Sequence, residues 1–311
     1  MSRMRNNSAQ QIRIKLETFS QRQRELRGLN SNDRTEALVL QIISSLRRVD
    51  YIQRFHEREP HPVRLDPRSP LFDPLKAAWL AYNKRGDVDE ACWLTFIATH
   101  FGKHSIDGWR LARDFYGAFN QRNSWTWTEA SSDLGTFYDW LDNQWPVLLG
   151  DGVSRRFSNH RKYESKAPKH LKQVLGSYIE LIQREGGHRR MMVSIHKEFG
   201  QHPKEAFSGL YEKMSGVKRF GRLGRFDFLT MLGKLGVWPI EPDSAYLAQA
   251  TGPLLGVKLL VSGDRQAAIS PAELQQVLDA IDSSLGVGMQ VLEDALCNWQ
   301  KNPDKFVLFR G

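Results

Sequence analysis

Cysteine is nearly absent: the 311 residues contain two, Cys92 and Cys297. Each sits in an apolar helical pattern, Ala91-Cys92-Trp93-Leu94 and Ala295-Leu296-Cys297, where a buried free thiol is expected rather than a disulfide or a metal ligand. Long apolar runs are missing as well. Nothing approaches the run of about eighteen residues that a membrane span needs, and the polar, Arg-rich start from Met1 to Arg13 lacks the apolar centre of a signal peptide. An intracellular, cytoplasmic protein with no membrane partner is therefore expected. Two-residue alternation of apolar and polar side chains hardly occurs, which argues against sheets. No phosphate-binding P-loop, zinc-type spacing or dinucleotide fingerprint is present. That weighs against nucleotide-driven chemistry, and neither metal nor cofactor is expected.

What is present is an ordinary globular content, 41% hydrophobic and 11% aromatic, in a chain long enough for two packed lobes or one large domain. The net charge of +9 is unevenly placed. Residues 155–234 hold 18 Lys/Arg against 7 Asp/Glu, net +11, whereas 61–154 hold 9 against 12, net −3. A surplus concentrated in this way is the footprint of a polyanion partner, because neutralising phosphates releases condensed counterions. A solvated basic face that only keeps the protein soluble is the alternative.

Helical periodicity runs along most of the chain. It predicts amphipathic helices over Ile12–Leu29 and Glu36–Ile52, then a proline-interrupted strap from Pro60 to Pro74. Further helices are expected from Asp73-Pro74 to Gly86 and over Asp87–Phe101, Trp109–Phe119 and Leu134–Trp145, with a break at Gly150-Asp151-Gly152. His170–Glu185, Arg189–Phe199, Pro203–Met214, Phe226–Leu235, Ala245–Ala250, Pro271–Ser284 and Gly288–Trp299 complete the series. The expectation is a mainly α protein: a basic helical N-terminal arm over 1–60, a helical lobe over 61–150 and a basic lobe over 151–311.

The most informative stretch runs from Gly216 to Tyr246. A turn holding Gly216, Gly221 and Gly224, with Lys218, Arg219, Arg222 and Arg225 among them, separates two helical patterns; Asp243 follows 22 residues after Gly221. Glycines allow close approach to a phosphate and positive φ, and a helix opening behind them points free N–H groups at the same anion. Asp243 reads either as a functional carboxylate or as the N-cap of a helix over Ser244–Ala250. This arrangement resembles the helix-hairpin-helix DNA glycosylase superfamily. That resemblance implies two helical lobes with the active-site cleft between them, a hairpin that grips the DNA backbone through the residues just named, and Asp243 facing the sugar of an extruded nucleotide. The turn reads Arg-Phe-Gly-Arg-Leu-Gly instead of Leu-Pro-Gly-Val-Gly. Where bifunctional members carry a lysine after the hairpin glycine, this chain has Arg222 and Leu223, so the resemblance implies a monofunctional enzyme that uses water and forms no Schiff base.

A finer resemblance covers Trp79 to Gly311. Asp89-Glu90-Ala91-Cys92-Trp93-Leu94, Phe157 to Ser165, Gly224 to Leu229, Glu241-Pro242-Asp243-Ser244 and Glu293 to Trp299 are similar, in order, to the α-glutamyl/putrescinyl thymine pyrophosphorylase family. Its relatives include phage-defence glycosylases that remove glucosylated hydroxymethylcytosine. The resemblance implies double-stranded DNA carrying modified bases as partner, a monomer, and base flipping into a pocket. Asn159, His160, Arg161, Lys162 and Tyr163, together with Trp238, are the expected base-pocket residues; a solvated loop and core packing are their alternatives. Gly186-Gly187-His188-Arg189-Arg190 is a weaker phosphate candidate through His188 and Arg189. One carboxylate of Glu293-Asp294 is expected to pair with a hairpin arginine. Two rival functions stay open: a transferase or pyrophosphorylase that builds hypermodified thymine, and a DNA-binding protein without catalysis.

Overall fold

The computed structural model describes residues 9–120, 123–158 and 164–308. The protein is mainly α, and no strand occurs among the described residues. The helices are α1 (Ala9–Arg22), α2 (Asn32–Glu57), α3 (Pro74–Arg85), α4 (Val88–Phe101), α5 (Arg110–Tyr116), α6 (Trp127–Ser132), α7 (Leu134–Asn143) and α8 (Trp145–Leu149). They continue with α9 (Pro168–Leu171), α10 (Ser177–Arg184), α11 (His188–Phe199), α12 (Pro203–Lys213) and α13 (Arg222–Lys234), then α14 (Gly252–Ser262), α15 (Pro271–Leu285) and α16 (Met289–Trp299). None of these helices is long and apolar enough to cross a membrane.

Two compact units divide the chain. One comprises Met1–Arg54 and Pro242–Arg310, the other Phe55–Glu241. In the first, Ile12, Leu16 and Phe19 recur at helical spacing on α1 and are buried with Leu38, Ile42 and Leu46 of α2, Leu260 of α14, Leu274, Leu278 and Ile281 of α15 and Leu292, Leu296 and Trp299 of α16. Polar ties close the same unit. Lys15 Nζ donates to Leu285 O at 2.9 Å, and the Trp299 indole N–H donates to Arg34 O at 3.1 Å. Asp294 pairs with Arg48 of α2 rather than with a hairpin arginine.

Helix α14 has no counterpart among the helices expected from the sequence. Pro253 sits in the first turn, where its missing N–H costs nothing, and Gly256 lies so close to α16 that a Cβ would run into the Leu296 carbonyl. Helix α6 is likewise absent from the sequence reading. The expected helix over Ala245–Ala250 contracts to a single 3₁₀ turn, Leu247–Gln249.

The second unit is organised around α4, whose residues are buried on nearly every side, as its apolar composition requires. Asp73 and Asp87 cap α3 and α4, Asp73 Oδ1 accepting from the N–H groups of Leu75 and Lys76 at 3.2 and 3.3 Å. The Phe96 ring stacks on Tyr178 of α10 at 3.9 Å and meets Phe220 at 4.7 Å and Phe228 of α13 at 5.5 Å. Cys92 is fully buried in α4, and Cys297 on α16 is partly exposed; both are free thiols.

The first turn of α4 carries two carboxylates with different roles. Asp89 Oδ1 accepts from His188 Nδ1 at 2.5 Å, so the other ring nitrogen of this fully buried histidine accepts from the Tyr178 hydroxyl at 2.8 Å. Burial holds His188 below the usual histidine range, while the hydrogen bond to His188 holds Asp89 below the usual carboxylate range. Glu90 accepts from the Tyr116 hydroxyl and from Trp127 N–H, each at 2.7 Å, yet burial pushes its carboxyl up to about 7.

Two outcomes follow from this packing. Gly256→Ala forces α14 from α16 and should cost about 1–3 kcal/mol, read as a lower midpoint in denaturant unfolding. For Glu90, the folded state retains its proton above the unfolded value of 4.5, so its contribution to stability is present below that value and is lost as pH rises through about 7. The difference in unfolding free energy between wild type and Glu90→Gln should therefore change between pH 4.5 and 7.5 and be flat outside that window. Comparing the two proteins cancels the opposite trend of His188.

Candidate functional site

The basic turn lies wholly in the second unit. Helix α12 ends in a 3₁₀ turn, Met214–Gly216, and α13 begins at Arg222 with Gly221 as its N-cap. Helix α13 therefore starts four residues earlier than the sequence pattern indicates, which puts Gly224 and Arg225 inside the helix rather than in the turn. Side chains alternate in purpose across the linking segment. Val217 and Phe220 are buried, at 3% and 4% exposure, whereas Lys218 and Arg219 between them are exposed. Two inward apolar anchors thus present two outward cations, and neither cation has an ion-pair partner among the described residues.

The glycines do less than their spacing suggests. The positive φ of the turn is at Arg219 (φ 58°), while Gly221 is extended with φ −72°, open to solvent on its Cβ side. Gly224 matters for packing: a Cβ there would meet the Phe220 ring at 2.9 Å. Gly216 is exposed. Arg222 turns back along its own helix over Phe226 at 5.1 Å, and Arg225 reaches across to α12, over the Tyr211 ring at 4.3 Å with a hydrogen bond to Tyr211 O at 3.2 Å. They brace the turn, and Lys218 and Arg219 carry its exposed charge.

The turn is tied to a helical irregularity. A π-helical stretch, Lys172–Gly176, joins α9 to α10, and Ser177 just after it accepts the backbone N–H of Lys218 at 2.9 Å. Such π-bulges cluster at functional sites. Just before that stretch, α9 places a histidine near the turn that spacing did not reveal. Burial first, then the charges of Arg219 and Lys169, hold His170 below the usual histidine range.

Part of the basic surplus is neutralised within the unit. Arg155 binds Asp114 and Asp151, each at 2.7 Å, and lies over the Phe119 ring; Arg156 binds Asp107 at 2.8 Å; Lys172 pairs with Asp142 and Lys213 with Glu185. Arg156 holds Asp107 far below the usual carboxylate range, and Arg155 brings Asp151 to about 2. Three of these four cations draw on acids of the neighbouring acidic segment. The charge that faces solvent is thereby concentrated on fewer residues, the turn among them.

Other expected contacts fall differently. His188 is buried in the network with Asp89 and Tyr178 and presents nothing to a phosphate, whereas Arg189 is exposed and donates to Gly86 O at 3.0 Å. Trp238 is 4% exposed, its ring 6.4 Å from that of His188, and packs in the core. Asn159, His160, Arg161, Lys162 and Tyr163 lie outside the described residues.

Asp243 belongs to the first unit, two residues past the boundary at Glu241. It is half-buried, in a segment without regular structure, and is not a helix N-cap: the following 3₁₀ turn is preceded by Tyr246. The Tyr246 hydroxyl donates to Asp243 Oδ1 at 2.7 Å. Ala245 and Leu247, on either side of Tyr246, are buried in the core of the unit. Tyr246 is visible in Pro-Asp-Ser-Ala-Tyr, but its contact with Asp243 depends on a backbone conformation that spacing does not show.

The strain at Arg219 yields a measurable outcome. An L-residue in the left-handed region costs about 1 kcal/mol relative to glycine, so Arg219→Gly should raise the unfolding free energy by about that amount.

The family model that matches this chain is that of alpha-glutamyl/putrescinyl thymine pyrophosphorylase clade 3, over residues 33–311. No curated protein and no solved structure matches. The matched span takes in α2, the basic turn, Asp243 and α16, and the chain belongs to the alpha-glutamyl/putrescinyl thymine pyrophosphorylase family, clade 3.

Proposed function

We propose that the protein is a monofunctional DNA glycosylase, working as a monomer, that excises a modified pyrimidine from phage DNA and leaves an abasic site in antiphage defence. The family's name ties it to modified thymine in DNA; glucosylated hydroxymethylcytosine is the substrate we favour. The reading rests above all on Asp243, a half-buried carboxylate fixed by the Tyr246 hydroxyl and following the basic turn in the chain.

Breaking an N-glycosidic bond builds positive charge on the sugar. A carboxylate beside C1′ stabilises that charge and takes a proton from the attacking water as the C1′–O bond forms, while the base leaves on its nitrogen and is protonated there. Lys218 and Arg219 suit phosphate contact, with Arg189 a further candidate, and the free N–H groups at the start of α13 suit the same anion. Flipping the base costs a few kcal/mol, which pocket contacts return. Asn159 to Tyr163 are the segment we assign to that pocket.

The family's name favours a second reading, transfer onto thymine, which predicts base adducts and an amine or amino-acid co-substrate. Mass spectrometry of DNAs containing glucosylated hydroxymethylcytosine or modified thymine, incubated with the protein, separates the two. Free base with alkali-labile sites is expected, falling about 10²-fold or more in Asp243→Asn. Base release undiminished by that substitution would sink the assignment, adducts would establish transfer, and salt-sensitive binding without any product would leave a DNA-binding protein.

A further inference from the structure

The backbone at Tyr246 is left-handed, with φ 51° and ψ 48°. For a bulky aromatic residue this is an outlier, and such strain persists only where its surroundings enforce it. Here the enforcement is visible. Tyr246 N–H donates to Ser244 Oγ at 2.9 Å, and Ala245 N–H donates to Gln275 Oε1 at 3.3 Å. Gln275 is itself held on α15 by its hydrogen bond to Asp279 Oδ1 at 2.8 Å. Ala245 and Leu247, at 0% and 2% exposure, anchor the chain into the core on both sides of the strained residue.

Left-handed backbone at this point reverses the chain and returns the tyrosine ring to the residue three positions earlier. The phenol O–H then reaches Asp243 Oδ1 at 2.7 Å. A glycine would hold the same turn with less strain, so the turn alone does not account for a tyrosine here. The hydrogen bond does.

We infer that Tyr246 is a positioning residue for Asp243, acting through its hydroxyl to keep the carboxylate charged and in one orientation. This rests on the reading of Asp243 given above. Hydrogen bonding to a carboxylate favours its ionised form, the form that stabilises a cationic sugar, and fixes the group before substrate binds. The ring contributes no contact to the reacting atoms in this assignment; its role runs through Asp243.

Single-turnover base release from glucosylated hydroxymethylcytosine DNA by Tyr246→Phe, Tyr246→Gly and Asp243→Asn, with affinity and unfolding measured in parallel, tests the assignment. Tyr246→Phe should lower the chemical rate about tenfold or more with DNA affinity unchanged, in keeping with a hydrogen bond to a charged group. Its acid limb should move to higher pH, because the carboxylate loses a donor. Tyr246→Gly, which removes strain and hydroxyl together, should lose the same rate without losing stability. A wild-type rate and pH profile in Tyr246→Phe, beside an inactive Asp243→Asn, would overturn the positioning role and leave Asp243 in place. An active Asp243→Asn would overturn both.

Discussion

Burial of side chains from opposite ends of the chain in a single core is the constraint on which the candidate carboxylate depends. Ile12, Leu16 and Phe19 form one apolar face of α1, and α14 to α16 present matching faces more than two hundred residues later in the chain. Their union excludes apolar surface from water, the main favourable term in folding. It also fixes Ala245 and Leu247, the two pegs between which Tyr246 is bent toward Asp243. The placement of one hydrogen bond thus rests on the hydrophobic effect acting across the whole sequence.

The second unit shows the same logic in polar form. Charge counted along the sequence gives an acidic stretch followed by a strongly basic one, and the fold pairs members of the two. Arg155 illustrates the result: a side chain 5% exposed, bonded to two carboxylates and laid over Phe119, which is structural rather than available to a ligand. Surface charge is selected by this cancellation. Lys218 and Arg219 escape it because Val217 and Phe220, on either side, take the inward positions.

Helix content was legible because period-3.6 apolar spacing and caps such as Asp73 and Asp87 are local signals. Helix α14 was not, and its Gly256 is accounted for only by the close approach of α16, a contact distant in the chain. The turn between α12 and α13 was legible as a place; its working parts were not. Spacing singled out the glycines, but positive φ falls on Arg219 and two of the arginines serve as braces. His188 looked like a surface residue in a Gly-Gly-His-Arg-Arg run because nothing in that run reveals Asp89, ninety-nine residues earlier, as its partner. Several segments that carry the family resemblance are architectural in the structure. Asp89 and Glu90 anchor α4, and Asp294 and Trp299 fasten α16 to α2.

Joining the two chain ends also orders events during synthesis. Residues 9–54 emerge from the ribosome roughly ten seconds or more before α14 to α16, at a typical elongation rate of about 5–20 residues per second. Through that interval the apolar faces of α1 and α2 lack the helices that later cover them, while Phe55–Glu241 already has every segment of its own core. The loop that bends Tyr246 onto Asp243 can take its final form only once α15 is made, because Gln275 and the surrounding core lie downstream of it. A nascent chain therefore completes the unit bearing the basic turn before it can organise the carboxylate, and the protein cannot acquire its proposed chemistry while still being translated through α15.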